Sequence, residues 1–367
     1  MGDWMPEAVL GVIVAAGLWS GRRLFDKKFL QAPPAAPRED ARPKVSVVIP
    51  ARNEADNLPG LLESLRVQTL PPDEIVVVDD GSEDGTGEIA ASRGARVIRH
   101  DEPPPGWMGK NWALWDGFGH TTGDIVVFLD ADVRLAPNAL EALVAAREKA
   151  GGAISVVPFH TAPRFVEKLS LIFNILGIFA FMSPFEADNP RRGLYGSCIV
   201  TSREDYMRVN GHAGVRSALV DDLALGARLL AAGIPVANHM GWPHVSFRMY
   251  PGGLRHAAEG FSKSAALSMA SLDRKTVLLC ALWMIGLLAS GLFFWLSWAL
   301  AAGFVLYAAQ LLRMARYTGT FGLLAPVLHT LPSLFFVGVM LYSVYQTSVL
   351  GRVTWKGRRI DVRNRRR

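Results

Sequence analysis

Asp124-Ile125-Val126-Val127-Phe128-Leu129-Asp130-Ala131-Asp132-Val133-Arg134 reads as a strand buried on both faces that ends by presenting two carboxylates with one small residue between them. Side chains alternate along extended backbone, so Asp130 and Asp132 at the mouth of a sheet can point at one place. Two carboxylates so close repel each other, and a divalent cation bound to a diphosphate would relieve that repulsion through oxygen ligands.

Working outward, Val45 to Pro50 is a continuous apolar run, and strands also fit Glu74 to Asp79, Arg96 to Arg99 and Ala153 to Val157. Asp56 to Val67 has helical spacing through Leu58, Leu61, Leu62 and Leu65, and further helical segments open near Glu83, Lys110 and Pro137. Strands alternating with helices predict an α/β fold, with a parallel sheet covered on both faces. Ligands bind such sheets at the carboxyl ends of the strands. Here the first strand runs into Pro50, Ala51, Arg52, Asn53 and Glu54, the second into Asp79, Asp80, Gly81 and Ser82, and the fourth into Asp130 and Asp132. Singly, Asn53 or Ser82 reads as a helix cap and Asp80-Gly81 as a turn; three polar ends on one sheet edge read as a ligand site. Neither Gly-x-Gly-x-x-Gly after the first strand nor Gly-x-x-x-x-Gly-Lys-Ser/Thr occurs, which argues against a nicotinamide enzyme and a P-loop enzyme.

Half of the 367 residues are hydrophobic, mean hydropathy is +0.21, and the apolar weight lies at the two ends. Met5 to Ser20 is an apolar run followed by Arg22, Arg23, Lys27 and Lys28. A signal peptide carries its charges before the apolar core; this order predicts an uncleaved anchor within residues 1–30 and a cytoplasmic catalytic unit. Residues 31–43, rich in Pro and Ala, read as a linker to a folded unit over 44–265. A transmembrane region follows over 266–350, and 351–367 is a basic cytoplasmic tail. Within that region Thr276 to Leu312 is long enough for two tight spans or for one plus an interfacial helix, and Phe321 to Val349 is interrupted by Pro326 and Pro332. One N-terminal and three C-terminal crossings would put the tail outside, so a re-entrant stretch or a single crossing by Thr276 to Leu312 is expected. Phe165 to Phe185 is apolar and aromatic and reads as a helix lying in the interface, with a buried core helix as the competing reading. The net charge of +6 and the pI near 9.4 come largely from residues beside the apolar segments, which points to a multi-pass cell-membrane protein on an anionic lipid surface and away from nucleic acid. Two cysteines, Cys198 and Cys280, supply neither a disulfide framework nor a cysteine zinc site.

The joint pattern Val47-Val48-Ile49-Pro50-Ala51-Arg52-Asn53-Glu54, Val77-Val78-Asp79-Asp80-Gly81-Ser82 and Phe128-Leu129-Asp130-Ala131-Asp132 resembles the family 2 glycosyltransferases, which have the GT-A fold, over about residues 44–265. The resemblance implies that Pro50, Arg52, Glu54, Asp79 and Asp80 hold the nucleotide of a UDP-sugar, Asp80 being the better match for the uracil-facing acid. It implies that Asp130 touches the ribose and that Asp130 and Asp132 hold Mg²⁺ or Mn²⁺ on the diphosphate, Asp132 more directly. Downstream, Gly106-Trp107-Met108-Gly109-Lys110-Asn111, Ile154 to His160, Ser202-Arg203-Glu204-Asp205-Tyr206 and Phe247-Arg248-Met249-Tyr250 with Glu259 to Lys263 look like the membrane-bound apocarotenoid transferases acting on 4,4'-diaponeurosporenoate. Trp355-Lys356-Gly357-Arg358 is similar to endings in those and in hopanoid-associated and ceramide transferases. This part implies a lipid acceptor, plausibly a carotenoid acid, and a hexose donor, glucose.

Departure of a nucleoside diphosphate from an anomeric carbon develops negative charge that cations stabilise. Lys110, opening a helix after Gly109, is placed to neutralise phosphate; the plainer role is that of a solvated lysine. Asp221 and Asp222 precede the periodic Leu223, Leu225, Leu229 and Leu230, and the resemblance makes the second acid, Asp222, the base of an inverting displacement, with Asp221 where the family has Glu. Helix capping is the competing role, and an acceptor that is already a carboxylate leaves Asp222 to orient the sugar instead. His244, Arg248, Tyr250, Arg255 and Lys263 form a polar cluster for diphosphate, an acidic acceptor or lipid headgroups, while His160 and His212 read as hydrogen-bonded histidines outside the metal set. The rival to a single transfer is a processive polysaccharide synthase, whose Gln-x-x-Arg-Trp is missing here; a hopanoid- or ceramide-type lipid transferase and a non-catalytic membrane scaffold also compete.

Overall fold

The computed structural model describes residues 4–31, 42–262, 271–355 and 358–361. Most of the expected linker (32–41), Lys263, Lys356 and the basic residues beyond 361 lie outside the described residues. The chain divides into two compact units, one of residues 28–159 with 190–247, the other of 1–27, 160–189 and 248–367.

In the first unit the strands are β1 (Val45–Ala51), β2 (Glu74–Asp80), β3 (Arg96–His100), β4 (Ile125–Leu129), β5 (Val133–Leu135), β6 (Ala153–Val157), β7 (beginning at Phe159), β8 (Cys198–Ser202), β9 (Val236–Met240) and β10 (Val245–Phe247). Seven of them form one sheet in the order β3-β2-β1-β4-β8-β6-β9. β3, β2, β1 and β4 run parallel, as do β6 and β9, while β8 runs antiparallel to both of its neighbours. The sheet is therefore parallel-rich rather than wholly parallel, because β8 enters from the carboxyl edge: Leu129 pairs with Cys198, and the Asp130 N–H donates to Ser197 O at 3.0 Å. Parallel strands are covered on both faces, and β1, β2 and β4 are accordingly almost unbroken apolar runs, with Val45, Val47, Val48, Ile49, Val126 and Val127 wholly buried. Helix Leu58–Arg66 buries Leu58, Leu61, Leu62 and Leu65, at about 1.5–3 kcal/mol for each side chain taken from water. Val48, Leu114, Phe118, Val126, Phe128, Ile199, Tyr206, Leu225 and Leu229 make one continuous core between sheet and helices.

The strand order reverses at β1, with β2 on one side and β4 on the other, which opens a crevice beyond their carboxyl ends. The ends of β1, β2 and β4, the helix Gly109–Gly119 and the helix Asp221–Ala231 supply the charged residues singled out above.

The second unit is mainly helical, with one antiparallel strand pair, Arg352–Trp355 and Arg358–Asp361. It contains Trp4–Leu24, Leu171–Met182, Leu254–Ser262, Arg274–Phe293, Trp298–Thr318 and Thr330–Val344, the last running on to Leu350. Trp283, Tyr307, Leu311, Met314, Ile172 and Phe179 form its core. Gly17 and Gly286 meet face to face, since a Cβ on Gly286 would stand 3.2 Å from the Gly17 Cα; small residues of this kind let apolar helices approach closely. Among the described residues four helices can cross a membrane by length and composition: Phe165–Met182, Arg274–Phe293, Trp298–Thr318 and Thr330–Leu350. The apolar stretch from Thr276 thus folds as two helices, and the stretch from Phe321 as the short helix Leu324–Val327 and the helix beginning at Thr330, with Pro326 and Pro332 in their first turns, where a missing N–H is tolerated.

Candidate active site

Two groups of charged residues stand on the carboxyl edge. Around β1 and β2, Arg52 Nη1 donates to the Asp80 carbonyl at 2.7 Å, the Asn53 N–H donates to Ser82 Oγ at 3.0 Å, and the Glu83 N–H returns a bond to Asn53 Oδ1 at 2.9 Å. The two loops are thereby stitched to each other, with Asn53 at φ 51° and Gly81 at φ 68° making the tight turns. Asp79 also braces this scaffold: its carboxylate accepts the Ser82 N–H at 3.0 Å and lies 4.0 Å from the Arg99 guanidinium. Glu54 Oε2 accepts from Asn57 Nδ2 at 2.8 Å, and Pro50 is paired with Val78 inside the sheet.

Around β4, Lys110 Nζ sits 2.7 Å from Asp130 Oδ1. Burial disfavours its charge, but Asp130, Asp221 and Asp222 outweigh that penalty and hold the ammonium above the ordinary lysine range. Lys110, Asp130, Asp221 and Asp222 are thus one electrostatic cluster. Burial lifts Asp222 to about 7, the like charge of Asp221 adds to the rise, and Lys110 and the amides of Leu223 and Gly196 oppose it. Val220 takes the cap position of the helix and makes no side-chain cap bond, so Asp221 and Asp222 fall in the first turn. Asp222 Oδ1 accepts the Leu223 N–H at 2.9 Å.

Asp132 is tied to the first group through Arg134. Arg134 Nη2 donates to the Asn57 carbonyl at 2.8 Å, and the charges of Asp132 and Glu54 both act on the guanidinium against the effect of burial. Among the described residues no three His, Cys, Asp or Glu side chains gather as a metal cage. Two aspartates with oxygen donors suit an ion that completes its shell with diphosphate oxygens, as Mg²⁺ and Mn²⁺ do in nucleotide sites.

Sequence reasoning left several positioning residues unassigned. Asn111 is buried and its Nδ2 donates to the carbonyls of Val215 at 2.9 Å and Ala218 at 3.1 Å, fixing the segment that leads into Asp221. Ser155 Oγ donates to Asn238 Oδ1 at 2.7 Å and accepts the Tyr195 N–H at 2.7 Å, while Asn238 Nδ2 donates to Gly193 O at 3.1 Å. That network sets the loop 193–197, on which Gly196 lies so close that a Cβ would stand 2.8 Å from Asp222 Oδ2. Glycines at 193 and 196 shortly before a strand were the available signal. Arg248 lies in the helical unit, where it pairs at 2.7 Å with the buried Glu167, and Arg255 is paired there with Glu259 at 2.9 Å. His244 Nδ1 contacts Asn138 Oδ1 at 3.0 Å in the sheet unit. His160 bonds Asn174 at 2.9 Å and burial lowers it to about 4, so it is a neutral structural histidine.

A parallel-rich sheet with a reversal at β1 and acids on its carboxyl edge defines the GT-A class of nucleotide-sugar transferases. Residues 46–209 match the model for glycosyl transferase family 2. Proteins called 4,4'-diaponeurosporenoate glycosyltransferase from Staphylococcus aureus strains USA300 and MRSA252 are 31% and 32% identical, with 98% of each chain covered. A solved structure of the mannosyltransferase PcManGT from Pyrobaculum calidifontis, in complex with GDP-Man and Mn²⁺, shares the fold at 20% identity, with a TM-score of 0.54 over 92% of this chain and 100% of that one. The chain belongs to glycosyl transferase family 2 and is a glycosyltransferase.

Proposed function

We propose that the protein is an inverting enzyme that moves a hexose, glucose, from UDP-glucose to a membrane-embedded carotenoid or apocarotenoid acid. The observation that carries this reading is Asp222, lifted to about 7 beside the Lys110–Asp130 pair, on a chain that resembles the diaponeurosporenoate transferases along almost its whole length. In the displacement the acceptor oxygen attacks the anomeric carbon from the face opposite the diphosphate, the carbon–oxygen bond to the diphosphate breaks, and UDP leaves with the electron pair. Pro50, Arg52, Glu54 and Asp80 bind the nucleotide, and Lys110 turns from Asp130 to the departing phosphate. A divalent ion held by Asp130 and Asp132 supplies further neutralisation of the leaving group when bound.

Asp222 accepts the proton. A carboxylic acid at a membrane interface is held partly neutral by desolvation, so its proton has to go somewhere even though a carboxylate in water would have none to lose. A base titrating near 7 matches that acceptor, because proton transfer is most effective when the catalytic group titrates near the working pH.

The helical unit supports delivery from the bilayer. Strands before residue 160 and after residue 190 belong to one hydrogen-bonded sheet, so a single crossing by Phe165–Met182 would place parts of that sheet on opposite sides of a membrane. We read this helix as interfacial. Expression in a cell making an apocarotenoid acid, followed by mass spectrometry of extracted lipids, tests the proposal. A hexose ester of that acid that appears only with the protein is expected; a hexosylated sterol-like or sphingoid lipid instead would replace the acceptor.

A further inference from the structure

His212 is wholly buried, lies outside the nucleotide site and has no role in the displacement just described. It sits on a turn at Gly211–Val215 and faces Phe128 and Tyr206, with ring centroids 5.4 and 5.7 Å away. The Tyr206 hydroxyl accepts the His212 backbone N–H at 3.0 Å and stands 2.6 Å from His212 Nδ1. Burial raises the phenol's pKa, so it keeps its single proton. With its oxygen already accepting from the backbone, that proton is donated to Nδ1. Nδ1 is then the acceptor of the ring, and the neutral imidazole carries its own proton on Nε2. Nε2 stands 3.4 Å from Asp221 Oδ2, a close electrostatic contact and not an aligned hydrogen bond.

We propose that Tyr206 and His212 form a positioning relay that turns the polar N–H edge of the imidazole toward Asp221, keeping the negative charge of the acidic pair on Asp221 and its exchangeable proton on Asp222. This rests on the reading of Asp222 as the base. Lys110 from helix Gly109–Gly119 acts on both acids, Asp130 at the end of β4 is bonded to Lys110, and the amides of Leu223 and Gly196 bond Asp222. Two coupled acids share their titration, so the N–H edge facing Asp221 decides which of them takes the first proton. Without it, Asp221 takes that proton, the like charge beside Asp222 vanishes, and Asp222 ionises at lower pH as a weaker base.

The test uses the full-length protein in detergent, with UDP release from UDP-glucose to water as the reaction and the pH profile as the readout. His212→Asn keeps an acceptor for Tyr206 but removes the N–H facing Asp221; His212→Gln restores an N–H at the Nε2 position. The acidic limb of the rate is expected to fall by about one pH unit or more in His212→Asn and to stay in place in His212→Gln, with KM for UDP-glucose within about twofold in both. Tyr206→Phe preserves the ring packing, frees Nδ1 and moves the limb the same way by less, so it carries the test if His212→Asn does not fold. Equal limbs in wild type and His212→Asn, or equal movement in His212→Asn and His212→Gln, overturn the relay. An Asp222→Asn variant that keeps the wild-type limb overturns the base assignment itself, a separate result.

Discussion

Asp222 must be ionised to take a proton, and burial together with Asp221 puts that event at about 7. Because the raised value favours the protonated form, the proposed base should be idle below 7, and the rate is expected to climb as pH rises through 7 and to level off above. Asp222→Asn should bind UDP-glucose as before, lose the limb, and transfer to a hydroxyl acceptor about a hundredfold or more slowly, as rapid-mix assays of UDP release would record. Unchanged transfer would assign Asp222 to the first turn of its helix and nothing else. Asp132 makes a different prediction, because its proposed work is on the leaving group. Asp132→Ala should cut Mn²⁺-supported UDP release by about a hundredfold or more, partly recovered at high Mn²⁺ concentration, and turnover at the parent rate would take Asp132 out of the metal set.

At the scale of elements, the loop 193–197 and the start of helix Asp221–Ala231 form one clamp. A Cβ on Gly226 would stand 2.8 Å from both the Arg192 carbonyl and the Leu194 N–H, which are rigid backbone atoms. Gly226→Val should therefore push the loop off the helix, cost about 1–3 kcal/mol in thermal unfolding, and lower turnover more than donor binding. Full activity with an unshifted melting curve would show that the clamp does not position Asp222. The half of the sheet that carries the nucleotide loops was legible because Val45–Ala51, Glu74–Asp80 and Ile125–Leu129 are buried on both faces and so read as apolar runs. β8 and β9 escaped notice because Thr201, Ser202, Asn238 and His239 interrupt any such run. The acids at 221 and 222 were visible as types at a helix start, whereas the bonds that place them were not. Asn111 reaches carbonyls 104 to 107 residues away and Ser155 meets Asn238 across 83, and no local spacing encodes such pairs.

At the scale of the whole molecule the governing constraint is that one sheet cannot be split by a bilayer. Helix Trp4–Leu24, which we propose as an anchor, ends in Arg22 and Arg23, with Lys27 and Lys28 just beyond, and basic flanks of membrane helices stay on the cytoplasmic side. The sheet unit begins at Lys28, and we propose that it follows those charges into the cytoplasm, where UDP-sugars are made available to a transferase of this class. Ser92, exposed at the end of helix Thr86–Ser92, is a place to ask which side that is. Cys198 is wholly buried and can stay, and Cys280→Ser removes the other thiol. In intact cells a Ser92→Cys, Cys280→Ser protein should resist a membrane-impermeant maleimide and should react once the membrane is permeabilised. Labelling before permeabilisation would put the acids of the carboxyl edge outside the cell, away from the nucleotide-sugar, and the proposed transfer would lose its donor.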